Sequence, residues 1–269
     1  MKTGYCRLCR KDGVILHKDS HIFPYFLHRR MIPEIGNSTS FLGLSNNKER
    51  ELLLLQKIRS PKGDYEQYIF CTDCESKFSV LDDYFAKTMN GQLNDKIDAH
   101  RMSQDFIQYY GFDYKKFKLS LLSLFVRASL STRVPFKLKF SEEHERNISD
   151  MIVEDRPGSP LEYPLRFILY NRPHAQIASN LIYPYGKNGE YCFLFSNQDT
   201  LGIIFIMNTE VDDIKDIISN YVLLEQGSIV VKVLNEDERN VLYKNIVKMP
   251  IDHRFAPTDE NTVTNQKMR

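Results

Sequence analysis

The sequence predicts an α+β protein: a cysteine-stapled N-terminal module, a helical middle, and a mostly antiparallel C-terminal sheet with helices. Three observations predict this. Two CxxC pairs, Cys6/Cys9 and Cys71/Cys74, frame the first part of the chain. Two segments beginning at Glu75 and Tyr114 repeat large apolar residues at helical spacing. Beyond Pro135, short strand-like runs follow one another with turn residues between them.

Taken in order, residues 36–50, "GNSTSFLGLSNNKER", are rich in Gly, Ser and Asn and predict a loop. "ELLLLQKIRSPKGDYEQYIFC" follows as a short apolar segment, a turn, and a strand entering Cys71. Phe78, Leu81, Phe85 and Met89 then share one helical face. In "YKKFKLSLLSLFVRASLS" the apolar face is wide, which predicts a helix buried between two layers. "SEEHERNISDMI" predicts a helix with Ser141 as N-cap and glutamates in its first turn. "EDRPGSPLEYP" reads as a linker. "LRFILYN", "SNLIYPYG", "EYCFLFSN", "LGIIFIMN" and "SIVVKVLN" read as strands, with "YGKNGEY" joining two of them in a hairpin. Phe193, Phe195, Ile204 and Ile206 are expected to face a core. "VDDIKDIISNYVLL" and "DERNVLYKNIV" read as helices. The expected division is a zinc module over 1–90, a helical segment over 91–135, an α+β domain over 136–255, and a flexible polar tail over 256–269.

Composition bounds the function. Hydrophobic residues at 42% and charged residues at 26% of 269 suit a packed protein rather than a disordered one. Lys+Arg 36 against Asp+Glu 35 excludes a globally basic nucleic-acid binder but leaves room for a local basic patch. No apolar run is long enough to span a membrane. The opening "MKTGYCRLCRKDG" has no apolar run, so a secretory signal is not expected and a cytoplasmic location is. In a reducing compartment, paired CxxC motifs read as metal ligands rather than disulfides.

The spacing of the cysteines points to Zn²⁺. A two-residue spacer lets both sulfurs of a tight turn face one ion, and four thiolates complete a tetrahedral shell with no open position. Such a zinc is structural. Gly13 after the first pair suits a knuckle that needs a residue at positive φ. The second pair stands immediately before a predicted helix, whose N-terminal amides favour thiolate. Knuckle, hairpin and helix in that order make a treble clef. Cys192 in "EYCFLF" alternates with large apolar residues and reads as a core residue.

Between the cysteines lies "SHIFPYFLHRR". With Cys6, Cys9, His21-Ile22-Phe23-Pro24, Phe70-Cys71 and Cys74, residues 4–90 resemble the zinc-stapled HNH (His-Me finger) endonucleases, over roughly a third of the chain. They are also similar to uncharacterised bacterial proteins with "SHIIPK"-type and "LCxxCE"-type motifs. The resemblance implies that His21 is a general base for the water attacking a phosphodiester, and that one Mg²⁺ or Mn²⁺ stabilises the phosphorane and the leaving oxygen. It implies DNA or RNA as substrate and a setting in bacterial defence, with a protein partner as the alternative to nucleic acid.

The chain departs from the family pattern at three positions. Ser20 stands in place of the Asp before the histidine, Glu66 falls near the expected Asn, and Glu75 replaces the His after the last cysteine. Glu75 is a hard oxygen donor that suits Mg²⁺; Ser20 is a poor one. Asp19 would point to the other face of a strand. His21 also admits a structural reading, as a polar residue within the zinc hairpin, and the module then binds nucleic acid or a partner without catalysis. His28, Arg29 and Arg30 are candidate phosphate contacts. Arg7, Arg10, Lys11 and Lys18 add positive charge nearby. Tyr109 and Tyr110 with Lys115 and Lys116 suit either single-strand binding or, better, a joint between two helices. Asp82 and Asp83 are expected to be exposed, and Arg127 on its apolar helix requires a partner the sequence does not name.

Overall fold

The computed structural model describes residues 2–24, 26, 40–47, 52–59, 65–89, 92–93, 96–132, 140–170, 182–187, 190–195, 200–206, 222–235 and 237–238, and within 40–59 and 168–206 it describes the backbone alone. Strands β1 (Lys2–Gly4) and β2 (Val14–Leu16) form an antiparallel hairpin around the first cysteine pair. Gly13 enters β2 at φ +68°, the conformation the knuckle requires. Strand β3 (Ser20–His21) pairs antiparallel with β6 (Tyr65–Glu66), setting Ser20 opposite Glu66 and His21 opposite Tyr65. Between them, β4 (Ser40–Asn47) and β5 (Leu52–Arg59) make a two-stranded ribbon of their own. The loop expected over 36–50 is therefore a strand over most of its length. Pairing with the apolar run of β5 overrode a composition that favours turns.

Helix α1 (Thr72–Met89) begins directly after Cys71, whose backbone bridges to Leu16 of β2. Its acidic first turn and Lys87 in the last turn complement the helix dipole. Phe78, Leu81 and Phe85 are buried on the expected face. Helix α2 (Tyr114–Leu130), capped by Asp113 accepting from Lys116 N at 3.0 Å, is buried from Phe117 through Leu130. It lies against α1 and against α3 (Glu142–Val153), which Ser141 caps as expected. On its other flank, Phe117 stacks on Phe112 at 4.4 Å and on Phe167 at 5.4 Å. The predicted two-sided burial is thus realised. Each polar side chain it forces inward has a partner, as burial demands. Ser120, for example, donates to the Leu81 carbonyl at 2.9 Å, tying α2 to α1.

The remaining strands are β7 (Asp98–Arg101), β8 (Phe106–Tyr110), β9 (Leu165–Tyr170), β10 (Ile182–Lys187), β11 (Glu190–Phe195), β12 (Thr200–Ile206) and β13 (Ile229–Val233). They form one sheet in the order β10-β11-β12-β9-β13-β8-β7. Every neighbouring pair is antiparallel except β13 with β9. The mostly antiparallel expectation holds, as does the β10–β11 hairpin. The helical segment expected over 91–135 is corrected: it holds α2 and also the β7–β8 hairpin, which joins the C-terminal sheet. Tyr109 and Tyr110 accordingly lie on a strand and not at a joint between helices. The 154–164 linker carries neither helix nor strand. Val222 at the end of the helix expected over 211–224 instead bridges to Arg166. The rest of that helix, most of the last one, and the 256–269 tail lie outside the described residues. So do the side chains of Cys192, Phe193, Phe195, Ile204 and Ile206. Among the described residues no helix is long and apolar enough to cross a membrane.

Candidate metal centre and adjoining cleft

The two cysteine pairs meet. The ligand atoms of Cys6, Cys9, Cys71 and Cys74 all lie within 4.8 Å of one another. Cys6 Sγ is 3.8 Å from Cys74 Sγ, and Cys9 Sγ is 3.9 Å from Cys71 Sγ. A disulfide needs about 2.05 Å, so these sulfurs are not bridged. A metal–sulfur distance of about 2.3 Å in a tetrahedron puts sulfurs roughly 3.8 Å apart, which is the separation seen. The four cysteines can hold a metal ion such as zinc.

Backbone geometry builds this cluster. Arg10 N donates to Cys6 O, closing the knuckle, and Arg7 N donates to Ile69 O, fastening it beside the second pair. Cys71 N donates to Cys6 Sγ at 3.2 Å. The Cys6 thiol is held down to about 4 by its hydrogen bond with Cys74 and by backbone N–H groups of Cys9 and Cys71, against the opposing effect of burial. Cys74 is pushed up by that same bond to Cys6 and by burial. Arg7 donates to Leu130 O at 2.7 Å, and Arg10 pairs with Asp150 on α3. Both cations are engaged by groups of the protein, Arg10 at the surface and Arg7 half-buried.

Beside the cluster opens a cleft of about 530 Å³ lined by His17, His21, Thr72, Glu75, Ser76, Phe78, Ser79, Asp82 and Arg127. Strand β3 carries His21 to one wall. The first three turns of α1 supply the other, because Glu75, Phe78, Ser79 and Asp82 share a helical face. His21 and Glu75, far apart in sequence, therefore share one cavity. Glu75 Oε1 and Ser20 Oγ are buried side by side. Burial raises the Glu75 carboxyl most and Asp82 adds to this, while the nearby Ser20 hydroxyl, Arg127 and His17 oppose it.

The other residues weighed in the sequence fall elsewhere. Glu66 does not line the cleft: its carboxylate accepts from Ser131 Oγ at 2.7 Å, Thr132 N at 2.9 Å and Thr132 Oγ1. It anchors the C-terminal end of α2. Asp19 accepts from Gln67 at 3.3 Å on the exposed side. His28, Arg29 and Arg30 lie outside the described residues. Asp82 is corrected from exposed to 21% exposed, because it is the partner that Arg127 requires. Sequence reasoning missed His17 and Asp82 as cleft residues. Arg127 was the available signal, since a buried guanidinium demands a carboxylate within reach. Comparison with protein-family models, with curated proteins and with solved structures finds no match.

Proposed function

We propose that this chain is a metal-dependent nuclease, or the nuclease component of an assembly, hydrolysing phosphodiester bonds of DNA or RNA. It is built on a treble-clef module closed by structural zinc. The observation that supports it most is the convergence of His21 and Glu75 on one cleft beside the cysteine cluster. The zinc, with four sulfurs and no open position, stabilises the module and takes no part in chemistry. In this reading His21 accepts the proton of the attacking water. Glu75, a buried hard oxygen donor on the cleft wall, fits a divalent cation, and the Ser20 hydroxyl beside it is a weaker second donor. Mg²⁺ or Mn²⁺ there would offset charge on the phosphorane and on the leaving oxygen.

One observation favours a second reading, in which the module binds nucleic acid or a protein without cleaving. Glu66, near the family's expected Asn, is wholly engaged in anchoring α2. The two readings separate in one experiment. Zinc-loaded full-length protein is incubated with supercoiled plasmid, single-stranded DNA and structured RNA under Mg²⁺ or Mn²⁺. Cleavage by wild type that His21→Ala lowers by about 10²–10⁴-fold at unchanged zinc content supports the enzyme. Retention of nucleic acid without cleavage supports the binding module.

A further inference from the structure

We infer that Arg127 is a positioning residue for the His21 cleft, contributed by α2 from outside the cysteine module. The inference rests on reading His21 as the base. Arg127 is 1% exposed, so its guanidinium is held where water cannot satisfy it. Every N–H it possesses has an acceptor. Nε donates to Ser123 O at 3.1 Å. Nη1 donates to Asp82 Oδ2 at 3.0 Å and to the His21 carbonyl at 3.4 Å. Nη2 donates to Asp82 Oδ1 at 2.7 Å and to Ser123 Oγ at 3.2 Å. The cation also lies over the Phe78 ring, 4.7 Å from its centroid.

A guanidinium has five N–H groups in a rigid fork. With all five engaged, none is left for a substrate phosphate, although Arg127 lines the cleft. Its influence on chemistry must pass through what it holds. One of those groups is the peptide of His21, on a strand of only two residues. The others are Asp82 and Phe78, on the face of α1 that carries Glu75. Arg127 thus ties the wall bearing His21 to the wall bearing Glu75. A misplacement of about 1 Å in such a pair can cost on the order of 10²-fold in rate. The cleft is also completed by α2, so residues 1–90 do not hold all of it.

The test is Arg127→Lys in the zinc-loaded full chain, which keeps the charge and loses the fork. Two readouts are taken: the ring resonances of ¹⁵N-labelled histidine, assigned with His21→Ala, and single-turnover cleavage. The expected result is that His21 resonances shift or split while those of His100 and His144 stay in place. Where wild type cleaves, kcat falls on the order of 10²-fold with KM within about threefold, and Arg127→Lys adds nothing to His21→Ala. Unmoved His21 resonances, a rise in KM at constant kcat, or additive losses overturn the inference. If wild type cleaves nothing, the nuclease reading fails while the resonances still decide the placement of Arg127. Should Arg127→Lys not fold, Asp82→Asn removes the same fork from its other side and is read in the same way.

Discussion

Cys71, from the second cysteine pair, donates its backbone N–H to Cys6 Sγ of the first, at 3.2 Å. The main chain that starts α1 therefore stabilises thiolate on the knuckle. The two pairs are coupled through backbone as well as through any ion they share.

Cys71→Ser is accordingly expected to remove more than one ligand. Zinc binding and folding are coupled in small modules, with apparent binding free energies of about 10–16 kcal/mol at neutral pH. The variant should lose its zinc, measured by plasma emission, together with the cooperative melting of the N-terminal part. Chelation of wild type should do the same and be reversed by Zn²⁺. A Cys71→Ser protein melting like wild type would show that the cluster holds no structural metal.

Glu66 gives a pH dependence with a definite sign. Burial raises its carboxyl, but hydrogen bonds from Thr132 and Ser131 outweigh this and hold it below the ordinary carboxylate value of 4.5. A group whose folded pKa is depressed contributes stability above its unfolded pKa and loses it as pH falls through the folded one. Wild type should therefore weaken below about pH 4.5, and Glu66→Ala should weaken by less over the same range. At neutral pH Glu66→Ala should cost about 1–3 kcal/mol, since the end of α2 loses its acceptor. Urea melts across pH measure both.

Lys118 is the second charged residue that α2 buries. It donates to Ser159 O, to Glu162 O and to Tyr114 Oη, while Tyr114 Oη donates onward to Gly158 O. Those carbonyls belong to the 154–164 segment, so Lys118 fastens that segment to the helix. Lys118→Met should lower stability by about 2–4 kcal/mol by orphaning these acceptors. It should also raise proteolytic nicking within 154–164. Unchanged nicking would show that the segment is held by other contacts.

The cysteine quartet was legible because its code is local: two short spacers fix two pairs of sulfurs, and one metal-sized gap unites them. Capping of α3 by Ser141 and the buried course of α2 were legible for the same reason. The Arg127–Asp82 pair was not, since it joins side chains on two helices that nothing in either segment's pattern relates. The β7–β8 hairpin was missed because Phe106 through Tyr109 are half-buried on both faces, which erases the alternation that marks a strand. Its aromatic and β-branched content was the signal that remained. Glu66 falls near the position of the family's Asn, and only the fold shows its carboxylate taken up by Ser131 and Thr132.

In the proposed enzyme two metals of different kinds occupy neighbouring places with different duties. Anomalous diffraction from zinc-loaded crystals soaked in Mn²⁺, recorded at both absorption edges, tests it most directly. A zinc peak is expected about 2.3 Å from the sulfurs of Cys6, Cys9, Cys71 and Cys74. A separate manganese peak is expected in the cleft against the Glu75 carboxylate, on the side facing His21. A zinc peak away from the four sulfurs, or a cleft that stays without manganese at saturating concentration, would contradict it.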